Sequence, residues 1–254
     1  MNRLSVVIIT FNEEHNIERC LHSIKAVADE IVVADSFSTD RTKEICLRNG
    51  VTFFENKWMG YAAQKNFAHE QCSNDFILSL DADEALSGEL SDSILKIKSD
   101  NPFHLYKFNR LTNYCGQWVR HGDWYPDRKL RIYDRRKVCW EGNIHEQLIY
   151  PPSEKIVLLK GDCFHYSYYS ISDHVRQVEK FTTLAARQDY EKSKRCNWFL
   201  ILFAPWFKFV KGYFFKMGFL DGYVGYIISR ISAHATFLKY IKLRELTKNS
   251  GKTL

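Results

Sequence analysis

The segment Phe76–Glu84 joins a short apolar run to two carboxylates, Asp81 and Asp83, that stand one residue apart. In an extended segment residues i and i+2 point to the same side, so both side chains can converge just beyond the strand end. Such hard oxygen ligands suit Mg²⁺ or Mn²⁺, above all when phosphates of a substrate complete the coordination shell. The same pattern also occurs in solvated turns and helix caps, so the rest of the chain has to distinguish these interpretations.

The first 85 residues alternate short apolar strands with amphipathic helices. Ile17, Leu21 and Ile24 have helical spacing, and we expect Asn12 to cap their helix. Gly50 stands where a second helix should end. The alternation predicts right-handed crossovers and a Rossmann-like, doubly wound, mostly parallel α/β sheet. Strands are predicted at Leu4–Thr10, Glu30–Ala34, Val51–Glu55 and Phe76–Leu80, and helices up to Asn49 and at Tyr61–Gln71.

Polar residues stand at the carboxyl ends of three of these strands. Sheets of this type bind ligands at that edge, so we expect one site there. No Gly-x-Gly-x-x-Gly follows the first strand and no Gly-x-x-x-x-Gly-Lys-Ser/Thr occurs in the chain, which argues against a dinucleotide fold and a P-loop. The residues are Thr10, Asn12 and Glu13 after the first strand, Asp35 after the second, and Asp81 and Asp83 after the fourth.

The net charge of +6 is concentrated in the last quarter of the chain. Residues 1–191 hold 24 Lys or Arg and 28 Asp or Glu, a net charge of −4. Residues 192–254 hold 12 Lys or Arg and only Asp221 and Glu245, a net charge of +10. The hydrophobic fraction of 45% is ordinary for a globular protein with a sizeable core. The basic character therefore belongs to the tail.

Seven cysteines without a Cys-x-x-Cys pair argue against a zinc site and against a complete disulfide framework. Free thiols fit a reducing compartment. The apolar run Leu4–Ile9 is followed at once by Asn12, Glu13 and Glu14, with no small-residue cleavage site, so no signal peptide is predicted. We expect a cytoplasmic protein.

Four segments resemble those of family 2 glycosyltransferases of GT-A fold, and they occur in that family's order and spacing. Two later segments are similar to the subgroup that includes bacterial lipopolysaccharide core glucosyltransferases. The resemblance is strong over residues 4–170. The four segments are Val6–Glu14, Val33–Asp40, Gln64–Asn66 and Leu80–Glu84, and the two later ones are Pro126–Arg131 and Trp140–Glu146.

The resemblance implies inverting transfer of a sugar from a nucleotide-activated donor, with uridine diphosphate as the favoured nucleotide. Loss of the diphosphate concentrates negative charge, which a bound Mg²⁺ or Mn²⁺ neutralises. By this resemblance the residues that bind the donor are Thr10, Asn12, Glu13, Asp35, Lys65 and Asp81, and those that hold the metal are Asp81 and Asp83.

The second half of the chain has to supply a general base, because the acceptor hydroxyl is a poor nucleophile. Such assistance contributes about 10²–10⁴-fold in rate. The resemblance favours Glu146 and leaves His145 and Asp127 as alternatives, against a strand with one inward and one solvated residue. His165, in a strand-like segment, is either a third metal ligand or a hydrogen-bonded core histidine.

Basic and aromatic side chains of the second half are candidates for acceptor contacts. Arginine and lysine on one strand invite an anionic partner, or form a solvated basic edge. Flat aromatic rings stack on sugars but also fill protein cores. The basic residues are Arg110, Arg128, Lys129 and Arg131, and the acceptor candidates are Trp118, Trp124, Arg128 and Trp140.

Residues 198–226 contain 12 Phe, Trp or Tyr in 29 positions. The apolar run 197–207 is shorter than the roughly 20 residues that span a bilayer, and we expect Pro205 to break it. Lysines among aromatics are typical of interfacial helices that face anionic lipid. Packing of the aromatic face on the catalytic domain is the alternative. The lysines are Lys208, Lys211 and Lys216.

A last helix is predicted from Tyr223 to Leu246, with an apolar stripe that packs on the domain or on a second subunit as a homodimer. Nucleic acid is not expected as a partner, because the tail's aromatics are mixed with too many aliphatic residues for a single-strand groove. The stripe consists of Ile227, Ile231, His234, Leu238 and Ile241.

We therefore expect a GT-A catalytic domain at residues 1–190, with a nucleotide-sugar half at 1–100 and an acceptor half at 101–170. A helical extension at residues 191–254 is expected to lie on the inner face of the cytoplasmic membrane. The expected reaction moves a hexose, with glucose from UDP-glucose favoured, to a lipopolysaccharide core or other lipid-linked glycan. Rival hypotheses are a noncatalytic carbohydrate- or lipid-binding module, and a sugar nucleotidyltransferase, which needs a glycine-rich loop where Phe11–Glu14 stands.

Overall fold

The computed structural model describes residues 1–100, 102–142 and 146–250. The contacts form two compact units: residues 1–111 with 127–166, and residues 112–126 with those from 167 onward. The boundary near residue 190 remains a prediction; in the structure, residues 112–126 and 167–190 group with the tail.

The first unit is built on a mixed sheet whose strands follow the order β3-β2-β1-β4-β8-β6-β11-β5. Four helices alternate with its early strands, and β9 and β10 form a separate antiparallel pair. The elements as far as residue 168, of which β7 belongs to the second unit, are β1 (Leu4–Thr10), α1 (Ile17–Ile24), β2 (Glu30–Asp35), α2 (Thr42–Arg48), β3 (Thr52–Glu55), α3 (Tyr61–Glu70), β4 (Phe76–Asp81), β5 (Glu84–Leu86), α4 (Gly88–Ile97), β6 (Leu105–Tyr114), β7 (Gln117–Trp118), β8 (Asp127–Asp134), β9 (Cys139–Glu141), β10 (Gln147–Ile149) and β11 (Ile156–Tyr168).

The predicted doubly wound α/β architecture is confirmed. β1 pairs in parallel with β2 and β4, and β2 pairs in parallel with β3. Every residue of β1 is buried, as expected for a strand covered on both faces. Helix α1 buries Ile17, Leu21 and Ile24 in the same core cluster as Val6 and Ile8.

Beyond β4 the sheet turns antiparallel, which the strand–helix alternation did not predict. β8 is antiparallel to both β4 and β6, and β11 is antiparallel to β5. The chain makes a tight turn at Ala82 and Asp83 between β4 and β5, so no crossover helix separates these two strands. Basic side chains of β8 therefore lie beside the acidic end of β4.

The prediction that Asn12 caps the first helix is wrong. Helix α1 begins at Ile17 after Asn16, and Asn12 has a positive φ of 54° in the turn before it. Asparagine tolerates this left-handed conformation. Its Oδ1 accepts a hydrogen bond from the backbone N of Thr39 at 2.8 Å, so Asn12 joins the turns after β1 and β2. The predicted end of α2 is confirmed, because Gly50 follows Asn49 with a φ of 70°.

The second unit is helical. It consists of β7, α5 (Ile171–Glu191), α6 (Trp198–Val210), a π turn at Lys211–Phe215, a 3₁₀ turn at Gly218–Asp221, and α7 (Gly222–Ser250). Helix α7 packs against α5 and α6. The prediction that Pro205 breaks the apolar run is wrong, because α6 continues through it to Val210.

Two of the lysines predicted to face lipid instead contact Asp123. The Nζ atoms of Lys208 and Lys216 each lie 2.7 Å from one oxygen of this carboxylate. Burial raises the pKa of Asp123, but the two ammonium groups outweigh it and the pKa lies below its usual value. Lys211 is exposed. The sequence pattern did not indicate that two of the three lysines pair with a carboxylate of the chain.

The buried face of α7 differs from the predicted stripe. His234 is exposed, and Ile227, Ile231, Leu238 and Ile241 are only partly buried. The stripe is displaced because α7 contacts both α5 and α6, so that no single face is covered. The fully buried apolar residues of α7 are Val224, Ile228, Ala233 and Leu243.

Candidate functional site

The carboxyl ends of β1, β2 and β4 meet at one edge of the sheet. Thr10 is the register partner of Asp35, and Ile9 is the register partner of Asp81. The structure thus brings together the strand-end residues that the sequence placed at a common edge. Thr10 and Asp35 are buried, at 5% and 1% exposure.

The turn after β2 is held by the Asp35 carboxylate. Its Oδ2 accepts a hydrogen bond from the backbone N of Ser38 at 2.7 Å, and its Oδ1 accepts one from the Ser38 hydroxyl. The same hydroxyl accepts a bond from the backbone N of Asn12 at 2.8 Å. Asp35 and Asn12 therefore fix the shape of the rim around the strand ends.

Two hydroxyl groups at this rim lack a partner. Thr10 Oγ1 and Ser36 Oγ are shielded from solvent and form no hydrogen bond with any residue that the structure describes. The backbone N of Ser36 donates to the carbonyl of Thr10 at 3.0 Å, so the two residues are adjacent. Buried hydroxyls are nearly always satisfied in folded proteins. A polar ligand bound between β1 and β2 is the natural partner for both groups.

Helix α3 attaches the rest of the site to the sheet. Gln64, which is fully buried, donates from Nε2 to the carbonyl of Ala34 at 3.3 Å and accepts from Asn56 Nδ2 at 2.9 Å. Asn66 forms two hydrogen bonds with the backbone of Trp140, each of 2.9 Å. The helix thereby connects β2 to β9.

Lys65 lies between Gln64 and Asn66 on α3 and is 0% exposed. Its Nζ is 3.2 Å from Asp81 Oδ1 and 2.9 Å from Glu146 Oε1. The ammonium also lies 4.8 Å from the centroid of the Trp140 ring. Two carboxylates and a π face together compensate the loss of hydration of this cation.

The charge network continues from Asp81 into the sheet. Arg131 Nη2 lies 2.7 Å from Asp81 Oδ2 and 3.2 Å from Glu84 Oε1. Arg110 contacts Glu84 at 3.3 Å and Asp127 at 2.9 Å. The basic residues Arg110 and Arg131, predicted to invite an anionic partner, are therefore paired with carboxylates of the chain.

The electrostatics of Asp81 follow from this network. Burial alone would raise the pKa of its carboxyl group, but the charges of Arg131 and Lys65 hold the pKa well below its usual range. Conversely, Asp81 and Glu84 outweigh burial and raise the pKa of Arg131. Both groups stay charged at neutral pH.

Asp83 faces a different partner. Its Oδ2 lies 3.2 Å from Nε2 of His165, on β11. The backbone N of Tyr166 donates to the carbonyl of Asp83 at 2.9 Å, which fixes the turn against β11. The structure thus brings together two of the three predicted metal ligands, whereas Asp81 is turned toward Lys65 and Arg131.

The carboxylates near Asp83 carry excess negative charge. The pKa of Glu13 is raised to about 7, first by burial and then by the charges of Asp83, Asp40 and Asp81, against a hydrogen bond from Asn16. Among the described residues, no three His, Cys, Asp or Glu side chains form a metal-binding group. Asp83 and His165 fit a divalent cation that takes its remaining ligands from a bound diphosphate.

The three candidates for the base differ in their surroundings. Glu146 is partly exposed at the site and contacts Lys65. Asp127 is held by Arg110 and, at 3.1 Å, by Lys129. His145 lies outside the described residues.

The residues predicted to contact the acceptor are divided between the two units. Trp140 is 6% exposed and donates from Nε1 to the hydroxyl of Tyr133 at 2.9 Å, so little of its ring is open to stacking. Arg128 is exposed on β8. Trp118 and Trp124 belong to the second unit, where Trp124 stacks on Tyr168 with centroids 5.4 Å apart.

Sequence reasoning missed Glu84 and the roles of Gln64 and Asn66. Glu84 is 1% exposed, and its Oε2 accepts a hydrogen bond from the backbone N of Asp81 at 3.0 Å. The available signal was an acidic residue directly after Asp83 together with arginines on a later strand. Such a signal indicates pairing only once the strands are known to be neighbours.

Comparison with known proteins gives consistent matches along the chain. The sequence profile described as Glycosyl transferase family 2 matches residues 5–148. An uncharacterized glycosyltransferase of Rickettsia typhi is 32% identical, over 98% of this chain and 89% of its own length. A lipopolysaccharide core biosynthesis glycosyltransferase, LpsC, of Rhizobium meliloti is 29% identical, over 94% of this chain and 91% of its own length.

Solved structures match over parts of their chains. S. aureus TarS is similar over 72% of this chain and 39% of its own, with 15% identity and a TM-score of 0.44. A Mycobacterium tuberculosis glucosyl-3-phosphoglycerate synthase is similar over 44% of each chain, with 20% identity and a TM-score of 0.38.

Proposed function

Because the chain belongs to glycosyl transferase family 2, we propose that it transfers a hexose, with inversion, from a nucleotide sugar to a lipid-linked glycan. UDP-glucose is the proposed donor. The observation that carries the proposal is the single edge where the ends of β1, β2 and β4 meet and where Lys65 joins Asp81 to Glu146. The proposed nucleotide site and the proposed base would therefore be adjacent.

The donor nucleotide is proposed to occupy the rim between β1 and β2. The hydroxyls of Thr10 and Ser36 supply polar groups that lack partners among the described residues. Asp35 and Asn12 keep this rim in shape through their bonds to the turn at Ser38 and Thr39. The nucleotide would then extend toward the turn at Asp83.

Asp83 and His165 are the proposed metal ligands. A Mg²⁺ or Mn²⁺ ion there would offset the negative charge on the departing diphosphate. Asp81 is proposed to lie next to the metal site and to hold Lys65 and Arg131 there through ion pairs, because both of its oxygens face these cations. The charges of Asp83 and Asp81 also act on Glu13 and, after burial, contribute to its pKa of about 7.

Glu146 is the proposed general base. It takes the proton from the acceptor hydroxyl as that oxygen bonds to the anomeric carbon, while the bond from this carbon to the diphosphate breaks and its electrons leave on the nucleotide. Attack opposite the leaving group inverts the anomeric centre. Glu146 is preferred to Asp127 because Asp127 lies between Arg110 and Lys129.

The proposed acceptor is a lipopolysaccharide core or similar lipid-linked glycan. The similarity to a relative named for lipopolysaccharide core biosynthesis supports this class, because it extends over 94% of this chain. A lipid-linked acceptor calls for a catalytic domain at a membrane surface.

The aromatic tail supports an interfacial location. The segment Trp198–Phe215 is long and apolar enough to cross a membrane, yet only 11% of it is buried. Trp206 and Phe207 on α6 are 65% and 59% exposed. We propose that this face lies in the headgroup boundary on the cytoplasmic side rather than across the bilayer. Helix α7 packs on α5 and α6 within the chain, so a homodimer is not needed to cover it.

Donor binding tests the proposal directly. Thermal shift is measured against a panel of nucleotide sugars with Mn²⁺, Mg²⁺ or EDTA, for the native protein, Asp83→Ala and Asp92→Ala. Asp92 is an exposed acidic residue on α4 and serves as the matched control. We expect metal-dependent stabilisation by one UDP-sugar in the native protein and in Asp92→Ala, and its loss in Asp83→Ala. Absence of stabilisation by every nucleotide sugar with either metal would contradict the proposed donor site.

A further inference from the structure

Lys65 is the most completely buried cation among the described residues of the site, and the proposed reaction gives it ion pairs but no contact with the donor. The family resemblance places it near the donor diphosphate, but its side chain is 0% exposed. A phosphate contact would require the ammonium to leave Asp81 and Glu146, which lie within 3.2 Å and 2.9 Å of it. Both carboxylates are partly exposed, with side chains at 26% and 21%. The carboxylates therefore face the substrate space and the lysine lies behind them.

Among the described residues, no strand pairing holds Glu146 in place. It immediately precedes β10, which has three residues and pairs with β9 alone among the described strands. The first residue of β10, Gln147, is the register partner of Glu141, so Glu146 lies beyond the paired residues. Within the part of the chain that the structure describes, the contact with Lys65 orients the Glu146 carboxylate.

The contacts of α3 supply this support in successive residues. Asn66 forms two hydrogen bonds with the backbone of Trp140 on β9, and the Trp140 ring lies beneath the Lys65 ammonium at 4.8 Å. The adjacent Gln64 bonds to the carbonyl of Ala34 on β2. The backbone around Lys65 is therefore fixed to β2 through Gln64 and to β9 through Asn66. From this position its ammonium contacts Glu146.

We propose that Lys65 is a positioning residue that holds the Glu146 carboxylate beside Asp81, and that it does not bind the donor diphosphate. The inference rests on the proposed role of Glu146 as base. Because Nζ contacts Oε1 of Glu146, the second oxygen is the one that takes the acceptor proton. The same ammonium contacts Asp81, so the base is kept at a set position relative to the donor site.

The test compares Lys65→Met, Glu146→Gln and the double variant, with UDP-glucose and Mn²⁺ as the probe. Release of UDP reports turnover, and calorimetric binding of UDP reports the donor site. If Lys65 acts through Glu146, each single variant lowers turnover by about 10²-fold or more, and the double variant is within about threefold of Glu146→Gln. The dissociation constant of UDP stays within about threefold of the native value in all three proteins.

Two results would overturn the inference while the proposed function stands. Lys65→Met could weaken UDP binding about tenfold or more, which would mark a diphosphate contact. The double variant could be slower than Glu146→Gln by a further factor of about ten or more, which would mark an independent role. Full turnover in Glu146→Gln would contradict both the proposed base and the inference that rests on it. Failure of the native protein to bind UDP would instead contradict the proposed function itself.

Two further variants separate positioning from folding. Lys43→Met removes an exposed lysine that pairs with Glu55 at 3.1 Å, and it should leave turnover and UDP binding unchanged. Lys65→Arg keeps the positive charge if Lys65→Met proves too unstable to study. We expect Lys65→Arg to bind UDP normally and to turn over more slowly than the native protein but faster than Glu146→Gln. Equal turnover of Lys65→Arg and Glu146→Gln, with UDP binding weakened in Lys65→Arg, would contradict the inference.

Discussion

Many of the residues at the sheet edge are charged, and several of these charged side chains are almost completely buried. Lys65, Glu84 and Arg131 are each 3% exposed or less. Buried ions lose several kcal/mol of hydration, so pairing them seldom adds net stability relative to an apolar core. These residues instead fix the position of Asp81, whose carboxylate is partly exposed. Lys65 and Arg131 pair with that carboxylate, and Glu84 accepts a hydrogen bond from the backbone N of Asp81.

Arg131 gives the sharpest stability prediction at this scale. Arg131→Met leaves Glu84 buried beside fewer cations and leaves Asp81 with Lys65 alone. We expect the free energy of unfolding to fall by about 3–5 kcal/mol, as when one partner is removed from a buried ion pair. Chemical denaturation measures this change.

An exposed arginine provides the control. Arg41 pairs with Glu44 at 3.3 Å, and both side chains are more than half exposed. Arg41→Met should therefore leave the free energy of unfolding nearly unchanged. Equal effects of the two substitutions would show that burial of the Arg131 network has no energetic consequence.

A second residue-scale prediction concerns pH. Burial lowers the pKa of His174 to about 4, and its Nδ1 lies 3.1 Å from the hydroxyl of Tyr114. Between pH 6.5 and 4 the unfolded chain binds a proton that folded His174 does not. The stability due to neutral His174 is therefore complete above pH 6.5 and declines toward pH 4, by on the order of 3 kcal/mol.

Substitution of His174 isolates this contribution. His174→Asn keeps a polar group near the Tyr114 hydroxyl but cannot be protonated. We expect the slope of unfolding free energy against pH between 6.5 and 4 to be smaller in the variant by about one proton. An unchanged slope would assign the acid sensitivity to other groups.

Sequence could identify the individual site residues but not their pairings. Thr10, Asp35 and Asp81 were predictable because parallel strands end at one edge. The contacts of Arg131 with Asp81 and Glu84 were not, because they depend on β8 lying antiparallel to β4, and no local pattern specifies that neighbour. Asp83 and His165 likewise meet only after β11 pairs with β5.

At the scale of elements, glycines allow the turns of the tail to pack closely. A Cβ at Gly225 would lie 1.8 Å from the carbonyl oxygen of Gly218, and one at Gly218 would lie 2.7 Å from that of Gly212. These are backbone contacts, which cannot yield as a flexible side chain can. The start of α7 therefore depends on a residue without a side chain.

Gly225→Ala should destabilise the protein by about 3 kcal/mol or more, because the added methyl group displaces backbone. Gly88→Ala is the matched control, since a Cβ there has no atom within 4 Å and the residue begins α4. The control should be neutral or should stabilise by about 0.4–1 kcal/mol. Thermal unfolding compares the two, and a stable Gly225→Ala would contradict the close packing.

The elements themselves were largely predictable. The hydrophobic pattern placed β1 to β4 and α3 within one residue of their bounds in the structure, because buried parallel strands are continuous apolar runs. It also predicted where α2 ends, but the expected cap at Asn12 placed the start of α1 too early. It did not identify the turn structure at Asn12, where a side-chain bond to Thr39 replaces helix capping. It also misjudged Pro205, since the flanking turns keep α6 helical despite the missing amide hydrogen.

At the scale of the whole molecule, the charge asymmetry and the exposed aromatics of the tail have separate consequences. The tail carries a net charge of +10, but Asp123 pairs with Lys208 and Lys216. The proposed membrane binding should therefore depend on aromatic insertion more than on electrostatic attraction, and so should be weakly sensitive to salt.

Vesicle sedimentation tests this balance. Trp206→Ser with Phe207→Ser should weaken binding to anionic vesicles by about 10²-fold, because each large apolar side chain contributes about 1.5–3 kcal/mol when buried. Leu47→Ser with Leu95→Ser, at exposed sites on α2 and α4, should have no effect. Equal affinity of the aromatic variant and the native protein would exclude this face as the membrane contact.

The anomeric configuration of the product tests the central claim most directly. The native protein and Glu146→Gln are incubated with UDP-glucose, Mn²⁺ and a lipopolysaccharide fraction with a truncated core, and the glycan formed is analysed by nuclear magnetic resonance. We expect a new β-linked glucose in the native reaction, because displacement inverts the α-linkage of the donor, and loss of that product by about 10²-fold or more in Glu146→Gln. An α-linked product, or equal product from both proteins, would contradict inverting transfer with Glu146 as the base.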